Sequence, residues 1–139
     1  MRFLLTSTLL FTGLNLATAD GSDGYIIQIG NGASCPKKTK KGDTVGVNFN
    51  ATYTNGHPIY TNYPSYGFGP PIPFVFKIGA GQVIKGWELG FLDMCVGNTR
   101  KITAPPAFGY GVDALGPIPL NTPLLFYVEL KTVTFAPAP

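Results

Sequence analysis

Glycine and proline interrupt this chain so often, 18 and 13 times in 139 residues, that a helical bundle or a coiled coil is excluded. Each Pro removes a backbone donor and each Gly weakens a helix, so what fits between such frequent breaks is a set of short strands joined by turns. Hydrophobic residues make up 45% of the sequence, enough for a packed core, which sets wholesale disorder aside. The length allows one domain.

The strands announce themselves by alternation. From Asp43 to Tyr53, Val45, Val47, Phe49, Ala51 and Tyr53 share one face, while Thr44, Gly46, Asn48, Asn50 and Thr52 share the other. That pattern is a half-buried antiparallel strand. Asn55-Gly56 marks a tight turn into a short run from His57 to Tyr60, and a loop rich in Pro, Gly and Tyr follows from Thr61 to Pro73. Phe74, Phe76 and Ile78 alternate again before the Gly79-Ala80-Gly81 turn. Tyr25–Ile29, Arg100–Ala104 and Leu124–Val133 complete the strands, and Leu124, Phe126, Val128 and Leu130 share a face. One segment has helical spacing: Ile84, Trp87, Phe91 and Met94 lie three to four residues apart. Gly86 and Gly90 each cost that helix about 1 kcal/mol, so it must lean on a sheet to persist. The expected fold is α+β, with an antiparallel sheet of about five strands curled over one short helix.

The first 19 residues read as a secretory signal peptide. Arg2 precedes an apolar run from Phe3 to Leu16, and Ala17-Thr18-Ala19 offers small residues for cleavage. The remaining expected units are an N-terminal extension and first strand (20–34), a domain (35–133) and a Pro-rich tail (134–139). The closing Phe135-Ala136-Pro137-Ala138-Pro139 is not a retrieval signal, so export is expected over residence in the ER lumen, with no membrane anchor. In an oxidising compartment the two cysteines, Cys35 and Cys95, argue for one disulfide, with two buried thiols as the alternative. Such a bond would restrict the unfolded chain by about 4 kcal/mol in the loop-entropy account. Asn50-Ala51-Thr52 is a sequon that makes Asn50 a candidate glycosylation site on the face opposite Phe49.

Several chemistries are excluded or disfavoured. A net charge of +3 leaves no basic stripe for nucleic acid. One His and two Cys cannot fill a four-ligand zinc site unless carboxylates join them, so no metal is expected. His57 sits beside a turn, with no nucleophile system around it. Gly79 and Gly81 lack the third glycine and the βαβ setting of a dinucleotide cradle. Lys37, Lys38, Lys40 and Lys41 read as a solvated loop. What remains is an excess of rings at inward positions: Phe49, Phe74, Phe76, Trp87, Phe91 and Phe126, with Tyr110. They can all be core, or some can wall a concave apolar pocket.

Those residues stand in ordered blocks. Gly81-Gln82-Val83-Ile84-Lys85-Gly86-Trp87-Glu88, Met94-Cys95-Val96-Gly97, Arg100-Lys101, Phe108-Gly109-Tyr110-Gly111, Ile118-Pro119 and Leu124 to Leu130 resemble the FKBP-type peptidyl-prolyl isomerases. The match runs from about Cys35 to Val133, and the position of the two cysteines resembles the secretory-pathway branch. The resemblance implies a bent sheet wrapped on the helix with a proline pocket between them, and rotamase activity without a cofactor. It implies Trp87 as the pocket floor, and Phe49, Phe74, Val83, Ile84 and Phe126 as its walls. It further implies the Ile84 N–H and the Tyr110 hydroxyl as donors to substrate carbonyls, and Gln82, Ile59, Tyr60 and Ile118 at the substrate's edge. Tyr110, Trp87, Ile84 and Phe126 carry catalysis on this reading. Expected partners of this monomer are proline-containing peptides and proteins.

The chain departs from the family pattern in places. Phe49 stands where a Tyr is usual, and Ile59-Tyr60 where a Phe-Asp pair is usual. No Asp or Glu lies between Asp43 and Glu88, the Arg that often partners that Asp is absent, and the Thr61–Pro73 loop is longer. Reduced affinity for macrolide ligands follows, and a catalytically weak binding module or chaperone that keeps the pocket is the alternative to an active secreted enzyme.

Overall fold

The computed structural model describes residues 24–64, 69–111, 118–119 and 121–138. The signal-peptide segment lies outside the described residues, as do Tyr66 and Phe68 of the long loop. Six antiparallel strands form one sheet: β1 (Ile26–Ile29), β2 (Thr44–Tyr53), β3 (Pro58–Thr61), β4 (Phe74–Lys77), β5 (Thr99–Ala104) and β6 (Leu124–Thr134). Among the described residues a single short helix, α1 (Lys85–Gly90), sits between β4 and β5 in the chain, and a 3-10 turn (Pro106–Phe108) follows β5. The strand order is β1-β5-β6-β2-β3, with β4 also on β2. Both short strands use the same edge of β2. Thr44–Val47 pair with β4, and Asn50–Thr52 pair with β3. Six strands therefore make a sheet five strands wide, which reconciles the expected number with the observed one.

Alternation places Val45, Val47, Phe49 and Ala51 in the core, together with Phe76, Ile102, Leu124, Phe126, Val128 and Leu130. The opposite face of β2 is less open than alternation implies. Gly46 is buried because a Cβ there would meet the Thr132 hydroxyl at 2.3 Å, and Asn48 is buried beneath the Asn62 amide at 3.4 Å. Thr52 Oγ1 is buried with no hydrogen-bond partner, a desolvation cost of about 1–3 kcal/mol.

The helix is shorter than its apolar spacing suggests, for a local reason. Ile84 is extended at its N-cap, and Asp93 adopts φ 59° shortly after Gly90. The guanidinium of Arg100 donates to the carbonyls of Gly90 (2.8 Å), Leu92 (2.6 Å) and Asp93 (3.0 Å), satisfying acceptors that a longer helix would have paired internally. The two helical glycines answer to close packing rather than to propensity. A Cβ on Gly86 would meet the Phe108 carbonyl at 3.0 Å, and one on Gly90 would meet Ile102 Cδ1 at 2.5 Å. Tyr25 donates its hydroxyl to the Gly86 carbonyl at 2.8 Å from below. Met94 lies beyond the helix, buried in the segment that follows.

That segment is fastened to the start of the domain. Cys35 and Cys95 are disulfide-bonded, which closes the free-thiol alternative. Thr39, buried beside them, exchanges backbone bonds with Met94 and Asp93 and donates its hydroxyl to the Phe91 carbonyl. The four lysines of the run are exposed, as a solvated loop requires; Lys37 and Lys40 lie over the Phe135 ring, and Lys40 pairs with buried Asp43. Asp43 also accepts the Ala136 N–H at 2.8 Å, so the Pro-rich tail folds back along the domain. Among the described residues no helix is long and apolar enough to cross a membrane.

Candidate functional site

A cavity of about 610 Å³ opens between the concave face of the sheet and the approach to α1. Trp87, 4% exposed, forms its floor because the first turn of α1 points it across the sheet. Rings brace the indole on several sides: Phe49 at 4.8 Å and 88°, Phe126 at 5.5 Å and 80°, Phe91 at 5.2 Å and Phe76 at 5.6 Å between centroids. Edge-to-face packing of this kind holds aromatic rings in fixed orientations. The indole N–H is buried without an acceptor, so ring packing alone orients Trp87.

β2 contributes Phe49 and Ala51 to the walls, β6 contributes Leu124 and Phe126, and the segment entering the helix contributes Gly81 to Ile84. Ile118 closes another side at 7% exposure. Phe74 was expected among the inward rings, yet it is 44% exposed. Phe76, on the same face, packs against Trp87 and Phe91, whereas Phe74 is the first residue of β4 and lines the opening of the cavity. Its ring stays 6.0 Å from the indole and forms part of the rim. The β2–β3 register slips between Ala51↔Tyr60 and Thr52↔Pro58, which leaves Ile59 as an unpaired bulge residue. A bulge re-aims a side chain, and here Ile59 lines the cavity. Tyr60 stands at the mouth with its ring 5.5 Å from Phe49.

Polar groups are few. The Tyr110 hydroxyl makes no hydrogen bond among the described residues, and burial pushes its pKa up, so it stays a neutral donor at physiological pH. The Ile84 N–H is likewise uncommitted, since only its carbonyl is used, by Trp87 and Glu88. Gln82 lines the wall, but its side-chain carbonyl accepts the Lys77 N–H at 2.9 Å and serves the turn more than the cavity. The Glu88 carboxylate accepts the N–H groups of Gly79 and Gly81 and so fixes the Gly79–Gly81 turn that leads into Gln82, Val83 and Ile84. Among the described residues, no carboxylate, imidazole or amine lines the cavity.

The sequence profile of the FKBP-type peptidyl-prolyl cis-trans isomerases matches residues 35–131. The chain belongs to this family. It is 42% identical over 130 residues to "FK506-binding protein 2" of Emericella nidulans, covering 94% of this chain and 90% of that one. It is 39% identical over 123 residues to the human "Peptidyl-prolyl cis-trans isomerase FKBP2", covering 85% and 83%. "FK506-binding protein 2" of Dictyostelium discoideum is 45% identical over 97 residues, or 69% of each chain. The disulfide of this FKBP fits the secretory branch of the family.

Every residue expected at the site lines the cavity of this FKBP, from Phe49, Ile59, Tyr60 and Phe74 on the sheet to Gln82, Val83, Ile84, Trp87, Tyr110, Ile118 and Phe126. Sequence reading missed Ala51, Gly81 and Leu124 on the walls. The first and last share a strand face with Phe49 and Phe126, so alternation could have found them. It also missed Asn62, Glu88 and Arg100, which touch backbone rather than the cavity and leave no periodic signal.

Proposed function

We propose that this FKBP is an active prolyl isomerase that assists folding of proline-containing proteins in the secretory pathway. One observation carries the reading: an apolar, ring-walled cavity converges on Trp87, and the Ile84 N–H and the Tyr110 hydroxyl on its lining are uncommitted donors. Amide rotation is opposed by a barrier of about 18–20 kcal/mol that comes from resonance. A site lowers it by preferring the twisted amide to both planar forms. The proline ring rests on the indole between Phe49 and Phe126, and the dry walls strip water from the carbonyl. Twisting weakens the C–N double-bond character, so the reacting carbonyl loses less on desolvation than a planar one does. The Ile84 N–H and the Tyr110 hydroxyl bind carbonyls of the substrate and fix the strand of peptide while the bond turns. No proton is transferred and no covalent intermediate forms. The Cys35–Cys95 bond supports an oxidising compartment.

Exchange NMR on an X-Pro peptide tests this directly. The protein at micromolar concentration is expected to bring cis–trans exchange from tens of seconds into the subsecond range. Tyr110→Phe should slow it while leaving the fold intact. No acceleration above buffer, with peptide still bound, would leave the binding-module reading, which the carboxylate-free wall at Ile59-Tyr60 favours.

A further inference from the structure

Asn50 lies far from the proline cavity in function, on the outer face of β2, and its side chain is exposed. The Thr61 hydroxyl donates to its Oδ1, and Nδ2 makes no hydrogen bond among the described residues. Asn50 pairs in register with Tyr127 of β6, which is 45% exposed and has the Lys101 ammonium 5.5 Å from its ring centroid, a cation that a sugar on the ring would sit beside or displace. Together with Tyr63 they border a second groove of about 320 Å³. Asn50-Ala51-Thr52 is also the one Asn-x-Ser/Thr triplet in the sequence.

Thr52 supplies the deciding observation. Its hydroxyl is buried and unpaired in the folded protein, where a methyl would serve better. The fold gives that oxygen no task, whereas a glycosyl transferase reads the +2 hydroxyl on the extended chain before folding. We propose that Asn50 carries an N-linked glycan whose first sugar packs its apolar face on the Tyr127 ring in the second groove. The Asn50 Nδ2 attacks C1 of the reducing-end sugar on a lipid-linked oligosaccharide donor. The C1–O bond to the polyprenyl pyrophosphate breaks, the pyrophosphate leaves with the bonding pair, and Nδ2 loses one proton. Strand pairing does not oppose this, because transfer precedes folding and the mature side chain faces solvent. Aromatic rings suit the C–H face of a pyranose, because the negative ring face attracts the weakly positive C–H hydrogens.

The test uses the full chain exported from eukaryotic cells. Peptide-N-glycosidase in heavy-oxygen water should lower its mass and convert Asn50 to a heavy-oxygen Asp in the mapped peptide. Thr52→Ser should keep the modification and Thr52→Val should abolish it. Made in bacteria, Thr52→Val should melt a few degrees above the parent protein, since it removes the unpaired hydroxyl. Exported molecules in which Cys35–Cys95 is formed and Asn50 is mostly unmodified would overturn the assignment. So would a Thr52→Val protein that melts below the parent, because the hydroxyl would then serve the fold.

Discussion

The carboxamide of Asn62 stands beside Phe49 in the place of a strand residue. It accepts the Phe49 N–H at 2.7 Å and donates to the Val47 carbonyl at 2.9 Å, and the Asn62 N–H reaches the Phe49 carbonyl at 3.3 Å. It thereby bridges the gap on the β2 edge where β4 has ended and β3 has not begun. The same amide donates to the Ile72 carbonyl at 3.1 Å, so both ends of the long loop are tied to the strand that carries a cavity wall.

Asn62→Ala should cost about 2–3 kcal/mol, from several lost hydrogen bonds and a stranded Phe49 N–H. Denaturant titration measures the cost. Hydrogen exchange at the Phe49 amide should quicken, and turnover of X-Pro peptides should fall because the Phe49 ring loses its fixed backbone.

Trp87 is the sole tryptophan, and it is the cavity floor. Its fluorescence should therefore change on titration with an X-Pro peptide, and the change should saturate with the same constant as calorimetric binding. Trp87→Ala should cost about 3–5 kcal/mol, as expected for loss of a large core ring. Trp87→Phe should keep the fold and weaken peptide binding; unaltered affinity in that variant would assign the residue to the core alone.

Ile59 and Tyr60 replace the ring and acid usual in the family. A buried hydrogen bond to a carboxylate contributes about 1.5–3 kcal/mol. The double change Ile59→Phe with Tyr60→Asp should raise FK506 affinity roughly ten- to a hundredfold, at 1.4 kcal/mol per decade. Calorimetry compares it with the parent protein. Low-nanomolar binding by the parent would show that these two positions do not limit the drug.

Asp43 is fully buried, and burial alone would raise its pKa. The N–H groups of Ala136 and Lys40 and the Lys40 ammonium outweigh burial and hold the carboxyl below its ordinary value. A depressed folded pKa gives stability that is complete above the unfolded value, near 4, and is lost as pH falls through the folded one. Thermal midpoints should therefore drop below about pH 4. Asp43→Asn should melt several degrees lower at neutral pH and show a flatter acid limb.

The parts legible in the sequence are those governed by periodicity or by spaced blocks. Alternation gave the faces of β2 and β6, and the blocks around Trp87 and Tyr110 gave the floor and rim. Three features escaped because their causes are not periodic. Asn62 acts as substitute backbone, a role set by where two short strands fail to meet. The end of α1 depends on Arg100, which lies in the next strand and reads as an ordinary strand cation. The exposure of Phe74 depends on where the β4 face opens into the cavity, although its alternation matches that of buried Phe76.

Among the described residues the cavity lining holds no carboxylate, imidazole or amine, and the consequence reaches beyond drug affinity. No described group of the lining changes charge between neutral pH and mild acid, since the one displaced phenol, Tyr110, moves away from neutrality. Isomerisation should then run at nearly one rate from pH 7.5 to pH 5 and be indifferent to salt, and a rate profile over that range checks it. A catalyst with such a lining would handle its clients alike in a neutral lumen, an acidifying vesicle or the space outside the cell. Its lower limit of pH would be set by the buried carboxyl at Asp43 rather than by the described lining of the site.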